Sequence, residues 1–165
     1  LRPHGRRMSF PFHKSLRCAA RGLFSCLWRE RNLRIHTVAA GYVLFFSAFF
    51  DLSRAGRAVL LLTIGLVMAA ELFNTALERL CDFVSPGYEK RIGLVKDIAA
   101  GGVLCCALAA VGVGECLFWQ PERFGEILSW FVAVPVRLVL FVCSLAAAAC
   151  YIVLPCRRDR KKRGD

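Results

Sequence analysis

The sequence predicts an all-α integral membrane protein, and three observations carry that expectation. Of its 165 residues, 57% are hydrophobic and only 21% charged, and the mean hydropathy of +0.51 exceeds that of ordinary soluble chains. The apolar residues gather in runs long enough to cross ~30 Å of hydrocarbon at ~1.5 Å per residue. The charge sits at the two ends. Residues 1–36 carry nine Arg or Lys against Glu30, residues 157–165 carry six against two Asp, and the stretch between them sums to −1. A net charge of +11 suggests nucleic acid when it is spread over a soluble domain. Basic ends around a neutral apolar body instead suit a membrane protein whose termini face an anionic leaflet. No nucleic-acid partner is expected.

Residues 1–9 read as a disordered basic lead. A secretory signal would need ~7–15 uninterrupted apolar residues, and here only Gly22 to Trp28 qualifies before Arg29 arrives. From Phe10 to about Trp28 the pattern is helical. Leu16, Ala20, Leu23, Phe24, Leu27 and Trp28 share one face, with Lys14, Arg17 and Arg21 opposite. An apolar face ending in Trp beside a basic face describes a helix lying in the membrane interface. A surface helix on a soluble core has the same pattern, and the apolar sequence that follows favours the interface.

Four apolar segments come next, at about Leu33–Leu52, Ala58–Leu80, Ile98–Leu117 and Ile127–Pro155. Each is expected to cross the membrane, with connectors at 53–57, 81–97 and 118–126. The basic residues place both termini and the 81–97 connector in the cytoplasm. Arg54 and Arg57, on the outer side, run against that rule and are outweighed. Arg137 falls inside the fourth segment, with Glu115 or Glu126 as candidate partners. The nine cysteines form no CxxC pair, are odd in number and lie largely in apolar runs. They read as small buried hydrophobes rather than as a disulfide set.

The second segment contains Glu71-Leu-Phe-Asn74-Thr-Ala-Leu-Glu78-Arg-Leu-Cys-Asp82. Acidic residues at i, i+7 and i+11 fall along one line of a helix, and Asn74 joins them. A charged carboxylate at the centre of a membrane helix costs roughly 2.5–3.5 kcal/mol by insertion scales, so a helix that keeps two needs partners or a use for them. Polar glue between helices, or snorkelling at the helix end, accounts for Glu78 and Asp82. Glu71 lies about two turns deeper, and neither explanation suits it as well.

Ser85-Pro86-Gly87 breaks the helix, and Lys96-Asp97 opens the third segment on the same side as Glu78 and Asp82. The run Ala99-Ala100-Gly101-Gly102 allows close backbone approach. Phosphoryl transfer needs a cation at the phosphates, carboxylates for a divalent metal and a base near the attacking hydroxyl. This region holds all three residue types. A Walker A loop is absent, because Gly87 and Gly93 have the wrong spacing and Leu94 follows Gly93.

The pattern Glu71-Leu-Phe-Asn-Thr-Ala-Leu-Glu78, then Asp82, then Lys96-Asp97-Ile-Ala-Ala-Gly-Gly, resembles the signature of the prokaryotic diacylglycerol kinase family, which includes undecaprenol kinases. Ser15-Leu-Arg-Cys-Ala-Ala-Arg-Gly22 and Glu30-Arg-Asn-Leu-Arg-Ile-His36 extend the likeness, which covers about residues 12–118. The Ser-Leu-Arg, Glu-Arg-Asn-Leu-Arg-Ile-His and Val-Ser-Pro stretches are more similar to the undecaprenol kinase branch. The resemblance implies an ATP-dependent lipid kinase with Mg²⁺ as cofactor, acting as a homotrimer in the bacterial cytoplasmic membrane. It implies Glu71 as catalytic base and Glu30 and Glu78 as metal ligands. For ATP it implies Glu30, Asn74, Glu78, Gly87, Tyr88, Glu89, Lys96 and Asp97, and for the lipid Arg34, Glu71 and Ala100. Glu89 stands where family members often have His. Residues 10–118 are accordingly expected to form the kinase domain, an interfacial helix with a three-helix transmembrane core. Residues 119–156 would form a connector and an additional transmembrane helix, and 157–165 a basic tail.

The expected activity is transfer of the γ-phosphoryl group of ATP to a membrane lipid alcohol, with undecaprenol as first acceptor and diacylglycerol as second. Two other classes compete. A small transport or assembly protein could use Glu71 and Glu78 as an ion relay, which would not require Glu30 or Lys96. An inactive family member could serve as a scaffold, although every principal site residue is present.

Overall fold

A computed structural model describes residues 12–85, 87 and 89–154. The basic lead, Pro86, Tyr88 and the basic tail lie outside the described residues. The described chain is six helices, α1 (Phe12–Arg29), α2 (Arg31–Ser47), α3 (Arg54–Val84), α4 (Lys90–Phe118), α5 (Pro121–Ala133) and α6 (Pro135–Val153), with no strand among them.

Three of these, α3, α4 and α6, are long and apolar enough to cross a membrane. At 17 residues α2 is shorter than the segment expected for the first crossing and spans about 26 Å. Helix α1 buries none of its residues. Its apolar face is open, with Leu16, Phe24 and Trp28 all exposed, as a helix lying against lipid requires.

The helices begin and end for local reasons. Helix α3 starts four residues earlier than expected because the Ser53 hydroxyl accepts a hydrogen bond from the Gly56 amide at 3.0 Å and so caps its first turn. Arg54 and Arg57 therefore lie on the helix rather than in a connector. The helix ends at Val84, before the Ser-Pro-Gly break. Lys90 then opens α4, so the connector contracts from 81–97 to 85–89 and both Asp82 and Lys96 are helical. Likewise Pro121 at the start of α5 converts most of the 118–126 connector into helix.

The fourth apolar segment is not one helix. Val134 is extended, as a residue before proline prefers, and Pro135 starts α6. This break corrects the expected single run and also supplies the partner of Arg137. In the first turn of α6, Arg137 donates from Nη1 to the Trp130 carbonyl at 3.0 Å, and its guanidinium lies 4.3 Å from the Trp130 ring centroid. Neither glutamate considered for Arg137 pairs with it. Glu126 instead accepts from Arg123, which also pairs with Asp51 and so ties α5 to the loop between α2 and α3.

Helices α3 and α4 form the most extensive pair, with α2 against α3 and α6 against α2. A buried cluster of Phe50, Leu52 and Leu60, with Phe118 packed on it, closes one end of the bundle. The starts of α2 and α4 and the ends of α3 and α6 meet at the other. That second end is where Glu30, Glu71, Glu78 and Lys96 converge. The eight cysteines described are free thiols, and only Cys81 is buried. Several expected as buried hydrophobes, Cys105, Cys116, Cys143 and Cys150, are exposed on helix surfaces, which suits lipid-facing positions equally well.

Candidate active site

The acidic line expected on the second segment is present on α3, and its upper half is buried. Glu71 is 3% exposed, Asn74 5% and Thr75 3%. One turn further on, Glu78 is half-buried and Asp82 is exposed. The helical period accounts for this gradient, because the shared face turns toward α2 while the helix climbs out of the bundle. Asn74 donates from Nδ2 to the Glu78 carboxylate at 3.1 Å and so fixes it along the helix. The Asn74 Oδ1 is buried without a partner among the described residues.

The other wall is the start of α2. Glu30 occupies the extended break between α1 and α2, at the cap position of α2, without capping it through its side chain. Its carboxylate accepts from Arg79 Nη2 at 2.7 Å, which fastens the break to α3. Two residues beyond Glu30, Asn32 faces Glu71, and His36, one turn on, faces it as well. Leu33 between them is wholly buried and anchors this turn. The groups gathered round Glu71 are therefore Asn32, His36, Glu78 and Glu30.

The third wall is α4. Lys96 pairs with Asp82 across the α3–α4 hairpin and lies near Glu78. Asp97 and Ala100 are exposed on the same part of α4, as are Gly87 and Glu89 in the connector. The structure thus unites Glu30, Glu71, Asn74, Glu78 and Lys96 at one end of the bundle. Arg34, for which the resemblance implied a lipid-side position, lies against the end of α6. It is 6% exposed and donates from Nη1 to the Tyr151 and Leu154 carbonyls at 2.7 and 2.8 Å, at the end of α6.

Asn32, His36 and Arg79 were not singled out from sequence. Asn32 and His36 are four apart, the spacing of one helix face, and that signal could have found them. The Arg79–Glu30 pair joins residues 49 apart in sequence, and no local pattern marks it. Among the described residues, no three His, Cys, Asp or Glu side chains form a metal cluster. Two neighbouring carboxylates nonetheless suit Mg²⁺, which keeps several waters and takes its remaining ligands from substrate phosphates.

An apolar cavity of about 390 Å³ runs between α2, α3 and α4. His36 lies at one end, beside the acidic centre, and Val43, Leu60, Gly114 and Phe118 line it toward the other, with Ala107 also in its wall.

Fold and site together define an all-helical membrane protein with a buried acidic centre opening at one end of its bundle. A family model described as prokaryotic diacylglycerol kinase matches residues 17–118, well over half of the chain, and the chain belongs to that family of lipid kinases. It is 43% identical over 108 residues to a diacylglycerol kinase of Synechocystis sp., a match covering 65% of this chain and 62% of that protein. It is 33% identical over 107 residues to an undecaprenol kinase of Bacillus subtilis, covering 65% and 87%. A diacylglycerol kinase of Escherichia coli is 27% identical over 100 residues, covering 61% and 82%. The match thus spans less than two thirds of the Synechocystis protein's length. Helices α5 and α6 lie outside the family match.

Proposed function

We propose that this protein transfers the γ-phosphoryl group of ATP to the hydroxyl of a membrane lipid alcohol, with residues 10–118 as the kinase domain. The observation that carries the reading is Glu71, a carboxyl 3% exposed on a membrane-crossing helix, flanked by Glu30 and Glu78 and reached by an apolar cavity. The long chain of a lipid alcohol suits that cavity, which would bring its hydroxyl to the His36 end. There Glu71 would take the hydroxyl proton as the oxygen attacks the γ-phosphorus, and the bond from that phosphorus to the bridging oxygen would break to release ADP. Asn32 and His36 would orient the carboxyl, and Lys96 would stabilise charge on the transferred group.

Glu30 and Glu78 are the residues that would hold Mg²⁺, which would screen the triphosphate charge. Asn74 sets Glu78 for that role, and Arg79 holds Glu30 until metal and nucleotide arrive. Gly87, Tyr88, Glu89 and Asp97 would complete the nucleotide surface. Ala100, small and exposed on α4, would let the lipid approach closely. The basic sequence at both termini supports a cytoplasmic position for this end of the bundle, where ATP would be available. A homotrimer, as the family resemblance implies, would cover the exposed apolar faces of α3 and α4.

Undecaprenol is the first acceptor, on the likeness of residues 15–17 and 30–36 to the undecaprenol kinase branch. Diacylglycerol is the second, and the name of the Synechocystis relative supports it. The deciding experiment offers each lipid separately, in micelles, to the full chain with labelled ATP and Mg²⁺. Label in undecaprenyl phosphate supports the first acceptor, and label only in phosphatidic acid replaces it with the second.

A further inference from the structure

We infer that the last turn of α6, a segment outside the family match, is a brace that positions the start of α2, with Tyr151 and Arg34 as positioning residues for Glu30. The inference rests on the metal and nucleotide role proposed for Glu30.

Glu30 lies at the break between α1 and α2, where the backbone is extended and the side chain makes no capping bond. Such a break has little local stiffness of its own. The end of α6 grips it from both sides. Before the break, the Tyr151 hydroxyl donates to the Leu27 carbonyl at 2.9 Å, and the Tyr151 ring meets Trp28 edge-on with centroids 6.0 Å apart. After the break, Arg34 donates to the Tyr151 and Leu154 carbonyls, and its guanidinium lies 5.8 Å from the Tyr151 ring centroid.

The Arg34 contact is favourable in kind. A helix ends with carbonyls that have no partner within the helix and with the negative end of its dipole, and a buried guanidinium satisfies both. The same contact offsets part of the cost of burying a charge at Arg34, whose Nε stays buried without a partner among the described residues. Tyr151 is therefore held on one side through Leu27 and Trp28 and on the other through Arg34, with Glu30 between them. Because Asn32 and His36 follow on the same helix, the brace also sets what faces Glu71.

The brace is distinct from the rest of the α2–α6 contact. Further along, the Tyr42 hydroxyl and the Ser144 hydroxyl share a hydrogen bond at 3.0 Å, two turns or more from Glu30. Tyr42→Phe therefore removes one tyrosine hydroxyl from the same interface without touching the break, and serves as a matched control.

The test uses the full chain in lipid nanodiscs, comparing Tyr151→Phe and Tyr42→Phe with the wild type. Hydrogen exchange of amides 27–36 reads the brace without reference to activity. The Mg²⁺ concentration for half-maximal activity reads its consequence. Tyr151→Phe is expected to speed exchange at 27–36 and to raise half-saturating Mg²⁺ threefold or more, with kcat at saturation within twofold and Tyr42→Phe unchanged in both. Unaltered exchange in Tyr151→Phe overturns the brace. Faster exchange with unaltered Mg²⁺ dependence, or equal effects of the two variants, overturns the positioning role. A wild type that phosphorylates neither lipid while the exchange difference persists overturns the kinase reading and the Mg²⁺ arm, and leaves the brace standing.

Discussion

Arg79 donates a 2.7 Å hydrogen bond to Glu30, joining the carboxylate at the α1–α2 break to the helix that carries Glu71 and Glu78. Both side chains are partly open to water, 49% and 30% exposed. An ion pair of this kind contributes about 0.2–1 kcal/mol to stability. Under the proposed mechanism the same guanidinium would compete with Mg²⁺ for Glu30, so its effect on the site is expected to exceed its effect on the fold. Arg79→Met is therefore expected to lower the melting temperature by no more than about 4 °C. It should also change the Mg²⁺ concentration for half-maximal activity at least threefold. Thermal melting and a Mg²⁺ titration on the same preparation check both halves.

Lys96 separates the kinase reading from an ion relay through Glu71 and Glu78. It pairs with Asp82 on the rim, where a conduction path would not need it. For phosphoryl transfer it is a cation on the developing charge, and Lys96→Ala should lower kcat roughly 100-fold, in the range seen when one such stabilising group is removed. Lys96→Arg should retain part of the rate. Full kcat in Lys96→Ala would remove Lys96 from the stabilisation of the transferred group, whereas a wild type with no kinase activity would return the intramembrane carboxylates to the relay reading.

Asn74 holds Glu78 at 3.1 Å while its Oδ1 remains buried and unpaired among the described residues. Asn74→Asp places a second carboxylate against Glu78, and like charges so close cannot both ionise easily. It should abolish activity near neutral pH. Asn74→Ala, which only frees Glu78, should raise KM for ATP with a smaller loss in kcat. Steady-state kinetics of the pair distinguish the two effects.

The cavity between α2, α3 and α4 makes a prediction about the lipid alone. Ala107 lines it, and Ala107→Phe should narrow it. The apparent KM for the lipid should rise about tenfold with KM for ATP unchanged. Equal changes in both constants would indicate a general distortion of the bundle and place the lipid chain elsewhere.

The line from Glu71 to Asp82 was legible because it depends only on the helical period, and the structure buries its upper half as that period requires. That Lys96 shares a side with Glu78 and Asp82 was legible from the helix break between two runs, but its pairing with Asp82 was not. Contacts between distant elements were not. Arg79 and Glu30 carry no mutual signal in sequence, and the burial of Arg34 depends on α6 returning beside α2. The break at Val134 was available, since Pro135 forbids a smooth helix through it. The apolar run around it outweighed that signal, and Arg137 consequently lacked its Trp130 partner.

The central claim is that Glu71 is the base of a lipid kinase. Its most direct test is transfer of label from ATP to undecaprenol or diacylglycerol by the full chain with Mg²⁺, beside Glu71→Gln. The variant conserves shape and removes the negative charge together with the capacity to take a proton. The account predicts labelled lipid with the wild type and a rate at least 100-fold lower with Glu71→Gln, the two proteins melting alike. Equal labelling by both would contradict the role of Glu71, and no labelling by a folded wild type would contradict the kinase itself for these acceptors.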